Sequence, residues 1–151
     1  MANSRKEQIF MSKVAVVYWS GTGNTEAMAN FVMEGAKGAG AEAFLFTSES
    51  FNADMVTDYD AIAFGCPSMG AEVLEETEFE PLFRACESKL QGKKVALFGS
   101  YGWGDGEWMR DWEETCKGAG ASLVCDSVTC VEMPDEEAKS ACKALGEVVS
   151  K

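Results

Sequence analysis

Hydrophobic and polar positions along the chain follow two periods. Short unbroken apolar runs, Val14-Ala15-Val16-Val17, Ala61-Ile62-Ala63-Phe64 and Val95-Ala96-Leu97-Phe98, are bounded by polar residues or glycine. Runs of that length without alternation predict strands buried on both faces. Longer stretches between them carry apolar residues three and four apart, the spacing of amphipathic helices. The pattern predicts strands at Lys13–Trp19, Glu42–Phe46, Ala61–Gly65, Val95–Gly99 and Ser122–Val131. It predicts helices at Asn24–Lys37, Thr77–Lys89, Glu107–Lys117 and from Asp135 to the end. Gly38 and Gly40 stop the first helix, and Gly118 and Gly120 the third. Pro81 falls in the first turn of the second helix, where it is tolerated. Ala27, Phe31 and Ala36 are expected to point inward from the first helix, and Phe79, Leu82, Phe83 and Cys86 from the second. Ala43 and Leu45 share a face of the second strand. Asp54–Asp60 reads as a polar connection. Residues 1–12 show no periodicity and read as a disordered extension ahead of a single domain over 13–151.

Strands alternating with helices imply an α/β protein with a parallel sheet covered on both faces. Ligands of such sheets sit at the carboxyl ends of the strands. Three loops converge there: Ser20–Thr25, Cys66–Glu72 and Ser100–Gly106. The first offers side-chain donors at Ser20, Thr22, Asn24 and Thr25, carries no charge, and opens a helix whose free N–H groups attract anions. It is not a nucleotide-hydrolysis loop, because no lysine occurs from Ser20 to Gly35. It is not a dinucleotide fingerprint, because Glu26 stands where the third glycine belongs. It lacks the cysteine and arginine of a tyrosine-phosphatase loop. Two readings stay open from this loop alone: a neutral phosphate cradle, or a plain turn capped by Asn24 or Thr25.

The other loops favour a mononucleotide site. Trp103, between glycines, offers a face to a planar ligand, a contact of about 0.5–1.5 kcal/mol beyond area burial; the alternative is a ring folded back onto the sheet end. Met69 could close the opposite face. Gly70 permits a positive φ. Glu72 could accept a hydrogen bond from a ring N–H, or be one more solvated acid.

Charge narrows the partners. The chain has 151 residues with 25 acidic against 13 basic, a net charge of −12. That balance disfavours nucleic acid and anionic membranes and favours basic protein surfaces. An acidic rim of Glu72, Glu75, Glu76, Asp105 and Glu107 is expected to meet them. The chain has no histidine, and its six cysteines form no C-x-x-C pair, which argues against zinc or iron–sulfur ligation. With neither a secretory signal nor a membrane span expected, the cysteines read as reduced thiols of a cytoplasmic protein.

The motifs Ser20-Gly21-Thr22-Gly23-Asn24-Thr25, Met69-Gly70-x-Glu72 and Leu97-Phe98-Gly99-Ser100-Tyr101-Gly102-Trp103-Gly104-Asp105-Gly106 resemble those of short-chain, clostridial-type flavodoxins, in order and in spacing. The resemblance covers the chain from about Lys13 onward. It implies a three-layer α/β/α fold with five parallel strands in the order 2-1-3-4-5, and one non-covalent FMN. It implies a monomeric, low-potential electron carrier, not an enzyme, working mainly between the semiquinone and hydroquinone. By resemblance, Ser20, Gly21, Thr22, Gly23, Asn24 and Thr25 hold the FMN phosphate. Met69 and Trp103 sandwich the ring, the Gly70 carbonyl accepts from N5–H, and Glu72 binds N3–H. Pro67, Ser68, Ala71, Ser100, Tyr101, Gly102, Gly104 and Asp105 complete the site. Pro67 stands where some relatives have a phosphate-binding serine, with Ser68 the candidate substitute. Ala71 stands where some carry an acid. The alternative is an FMN-dependent NAD(P)H or quinone reductase on the same fold.

Overall fold

The computed structural model describes residues 11–151. The expected extension over 1–12 therefore lies outside the described residues except for Met11 and Ser12. The strands are β1 (Lys13–Tyr18), β2 (Glu42–Thr47), β3 (Ala61–Gly65), β4 (Lys94–Tyr101), β5 (Ser122–Leu123) and β6 (Val128–Val131). The helices are α1 (Asn24–Gly38), α2 (Phe79–Glu87), α3 (Glu107–Gly118) and α4 (Glu136–Val149), with a 3-10 turn at Ala53–Asp58. All strand pairs are parallel, in the order β2-β1-β3-β4-β5, and β6 also pairs with β4. The strand order expected from the resemblance is therefore present.

Period-two alternation inside the buried strands divides the core. Val14, Val16, Ala61, Ala63 and Ala96 face α1 and α4, together with Met28, Val32 and Leu145. Ala15, Val17, Ile62, Phe64, Val95 and Leu97 face the other layer, which holds Phe79, Phe83, Trp108 and Trp112. The alanine-rich face goes with a tight helix pair. A Cβ on Gly35 of α1 would stand 1.9 Å from the Lys143 carbonyl oxygen of α4, and one on Gly146 would stand 2.1 Å from that of Val32.

Four differences from the sequence pattern have local causes. The fifth strand splits in two, with the stretch 124–127 between its halves, yet both halves pair with β4. The second helix starts at Phe79 instead of Thr77, because residues 75–78 form its cap. On α1 the buried stripe is Met28, Ala29, Val32 and Ala36, with Ala27 and Phe31 half-buried on its flank. On the edge strand β2, Phe44 and Phe46 turn to the core while Leu45 is exposed.

Candidate functional site

Because β1, β3 and β4 run parallel, the segments that follow them emerge on one edge. In the first, Ser20 does the capping expected of Asn24 or Thr25. Its Oγ accepts from the N–H of Gly23 at 3.0 Å and of Glu26 at 3.3 Å, while the cap position itself is Gly23 at φ 98°. Thr25 is buried and faces β4, its hydroxyl 2.9 Å from that of Ser100. Ser100 and Tyr101, expected in the third loop, are the last residues of β4, opposite Cys130 and Val131 of β6. Ser68 donates its N–H to the Ser100 carbonyl at 3.0 Å, which joins the second segment to the third.

The second segment is a tight turn. Glu72 N–H donates to the Met69 carbonyl at 2.7 Å, and Met69 N–H to the Val73 carbonyl at 2.8 Å. The left-handed residue here is Glu72, at φ 54°, and not Gly70. That backbone carries the Glu72 side chain across to the third loop. Its Oε1 accepts from Asp105 N–H at 3.0 Å and lies where a Cβ on Gly104 would stand 1.5 Å away, so only glycine admits it. Its Oε2 is buried and has no hydrogen-bond partner among the described residues. Glu72 is thus no solvated acid. Its carboxylate lies with those of Asp105 and Glu107, ligand atoms within 4.8 Å of one another, and Arg110 pairs with Asp105 at 3.0 Å.

A cleft of about 250 Å³ brings together Gly21, Thr22 and Asn24 with Pro67, Ser68, Met69, Ser100, Tyr101 and Gly102. Among the described residues, no lysine or arginine lines it. Ser20 and Gly23 line an adjoining cleft of about 510 Å³ that shares Trp19, Gly21 and Thr22 as walls. Glu72 lines a third cavity of about 180 Å³ toward α2 and α3. Gly70, Ala71, Gly104 and Asp105 are exposed around these openings. Trp103 is 62 % exposed, so its ring is not folded onto the sheet end.

Two wall residues of the smaller cleft escaped the sequence reading. Trp19 separates the two clefts, with its indole N–H on Glu78 Oε1 at 2.7 Å. An aromatic residue directly before the small-residue loop was its available signal. Glu132 enters from the β6–α4 connection, left-handed at φ 58°, and nothing in its sequence neighbourhood marked it. One expected rim acid is misplaced. Glu75 is buried, and its carboxylate accepts the Thr77 hydroxyl and the N–H groups of Thr77, Glu78 and Phe79 at the start of α2.

Neighbouring acids set the titration of the larger cleft. Burial first, and then the Glu26 carboxylate 2.8 Å away, push the Tyr18 hydroxyl up to about 12, so it stays a donor. A shared hydrogen bond with Glu78 holds the Glu49 carboxyl above the usual carboxylate range.

The comparisons with known proteins agree with this fold. A family model described as Flavodoxin matches residues 16–146. A flavodoxin of Megasphaera elsdenii is 49% identical over 138 residues, 91% of this chain and 98% of that protein. One of Clostridium beijerinckii is 44% identical over 135 residues, 89% of this chain and 97% of that protein. The solution structure of two-electron reduced Megasphaera elsdenii flavodoxin superposes with a TM-score of 0.83 at 48% identity, covering 91% of this chain and 98% of that one.

Proposed function

The chain belongs to the flavodoxin family, FMN-bound electron carriers and not enzymes, and on that premise we propose how its residues hold and tune the cofactor. When bound, FMN supplies the redox chemistry, accepting and releasing electrons singly, and the protein supplies binding, orientation and electrostatics. The residues present fit it. Glu72 Oε2 is a buried acceptor without a donor, as a ring N–H requires. The first turn of α1 leaves the N–H groups of Asn24 and Thr25 without intrahelical acceptors, as a phosphate requires.

In this reading Ser20, Gly21, Thr22, Gly23, Asn24 and Thr25 form the phosphate cradle, and Ser68 supplies the hydroxyl that Pro67 lacks. Met69 and Trp103 cover the two faces of the ring. The Gly70 carbonyl is an acceptor at the ring edge; its turn is exposed, and a Cβ on Gly70 would meet nothing within 4 Å. Ala71, Ser100, Tyr101, Gly102, Gly104 and Asp105 complete the walls.

The electrostatics favour low potential. A carboxylate ~10 Å from an added charge costs roughly 0.4 kcal/mol in water and roughly 1.7 kcal/mol at an effective dielectric of 20. Arg110 offsets one charge of the Glu72, Asp105 and Glu107 cluster, and the remaining negative charge reaches a shift on the order of 100 mV at most. Glu72, Glu76, Asp105 and Glu107 form the rim that meets basic redox partners, while buried Glu75 does not belong to it. All six cysteines are free, which supports a reducing, cytoplasmic compartment, and the net charge of −12 favours a monomer. Among the described residues, no helix is long and apolar enough to cross a membrane.

The observation that carries the reading is the convergence of three strand ends on one cleft that no cation lines among the described residues. The test is a titration of the apoprotein with FMN. It should give a one-to-one yellow complex, and Trp103→Ala should weaken it by about twofold to tenfold, the value of one aromatic stacking contact. Equal affinity in the variant refutes the stacking role. Steady-state NAD(P)H oxidation by the pure protein would point instead to a reductase.

A further inference from the structure

Sulfur gathers in the core layer between β6, α1 and α4. Met28 of α1 and Cys142 of α4 are fully buried there, and Cys125 and Cys130 pack against them half-buried. The Cys130 thiol stands 3.6 Å from the Met28 Sδ, although the two residues are 102 apart in sequence. Cys142 lies close enough to Cys130 for a charge on one thiol to disfavour a charge on the other. Burial, and then Asp135, push the Cys130 thiol up to about 11. Burial, and then Cys130, push that of Cys142 up to about 12, so both carry their protons at neutral pH. The sulfurs have an approach from solvent. A cleft of about 450 Å³ between the stretch 125–129 and α4 is lined by Val128, two residues before Cys130, and by Ala141 and Leu145, which bracket Cys142. Asp126 also lines it and favours the entry of a cation.

We propose that Cys130, Cys142 and Met28 form a binding site for one copper(I) ion. Two thiolates and a thioether are soft ligands, and soft ligands select copper(I). A separation of 3.6 Å suits two sulfurs that share one ion at metal–sulfur bonds of about 2.3 Å. Zinc is the wrong occupant, because it takes four ligands, the chain has no histidine, and a thioether suits it poorly. On binding, the S–H bonds of Cys130 and Cys142 break and both protons leave to solvent. Two copper–thiolate bonds form, with a third bond from a Met28 Sδ lone pair, and the ion stays at +1. The ligands come from α1, β6 and α4, so no short cysteine spacing marks the site in the sequence. None of the three belongs to the loops that hold FMN, so the proposal stands apart from the electron-carrier reading.

The test sets the FMN-loaded protein against bicinchoninate, a chromophoric chelator, in competition for copper(I) under argon with ascorbate. The wild type should withdraw one equivalent of copper(I). In weakly buffered solution at pH 7 it should release two protons as it does so. Cys130→Ser should weaken binding by more than about a hundredfold, beyond what loss of a residue that merely supports a ligand costs. Met28→Leu, a swap of similar volume that keeps the core filled, should weaken it by about tenfold with the FMN dissociation constant unchanged. That variant keeps the test independent of any folding defect in the thiol variant. Cys125→Ser, which alters only the cleft wall, should bind copper(I) as the wild type does. A wild type that leaves the chelator its copper overturns the site, and so does a Cys130→Ser variant that binds as tightly as wild type. Unchanged affinity in Met28→Leu removes the thioether and overturns the three-sulfur site. Loss of binding in Cys125→Ser overturns it in favour of a thiol site at the cleft surface.

Discussion

A carboxylate can be buried at low cost when every lone pair has a donor, and Glu75 meets that condition with three N–H groups and a hydroxyl. Burial alone would raise its pKa; the Thr77 hydroxyl and the N–H groups of Phe79, Glu78 and Thr77 outweigh burial and lower it. The sign of the pH dependence follows. The native value lies below the unfolded value near 4.5, so the unfolded chain protonates first as pH falls. The contribution is complete above about pH 4.5 and is lost as pH falls through the native value. Glu75→Gln should cost about 0.5–2 kcal/mol at pH 7 in urea unfolding, as other lost caps do. As pH falls below about 4.5 the gap between variant and wild type should shrink progressively; a gap that stays constant through acid would show that packing, not the charged cap, is at stake. Sequence could not single this residue out. Glu72, Glu75, Glu76, Glu78 and Glu80 read as one acidic run, and only the path of the chain after β3 decides which one turns inward. Glu72 shows the same limit, because its orientation depends on a left-handed backbone and on Gly104 from another loop.

At the level of elements, the unbroken apolar runs were legible because β1, β3 and β4 are buried on both faces, which leaves little room for another reading. The three loops were legible because small residues cluster at strand ends for reasons of local geometry. The divided fifth strand was not legible, because β5 and β6 lie at the sheet edge, where apolar pattern is weak. The close crossing of α1 and α4 was also hidden, since a glycine inside a helix looks like a simple weakness. It leads to an opposite pair of outcomes. Gly35→Ala gains helix propensity of about 1 kcal/mol but drives a methyl into the Lys143 carbonyl, so a net loss of about 1–3 kcal/mol is expected. Gly38→Ala, at the end of the same helix with nothing within 4 Å, should be neutral or stabilising by up to about 1 kcal/mol. Urea unfolding of both variants checks the pair, and equal effects would mean that α4 can move away from α1.

On the scale of the whole molecule, hydrogen bonds between strand ends brace the site: Thr25 with Ser100, Ser68 with Ser100, and Glu72 with Asp105. The cradle is therefore built by folding and not by the ligand, and among the described residues no cation lines it. A phosphate dianion must approach a chain of net charge −12 and is then held by neutral dipoles alone. The long-range field opposes binding while the short-range contacts favour it, and salt acts on the first more than on the second. Raising ionic strength from 0.01 to 0.15 M shortens the Debye length from about 30 to about 8 Å. The FMN dissociation constant should then fall by at least about twofold, whereas that of riboflavin, which has no phosphate, should stay constant. Electron transfer to a basic partner should move the opposite way and slow with salt, because there the field is attractive. FMN binding that weakens with salt would instead reveal a cation at the phosphate, and would overturn the neutral cradle.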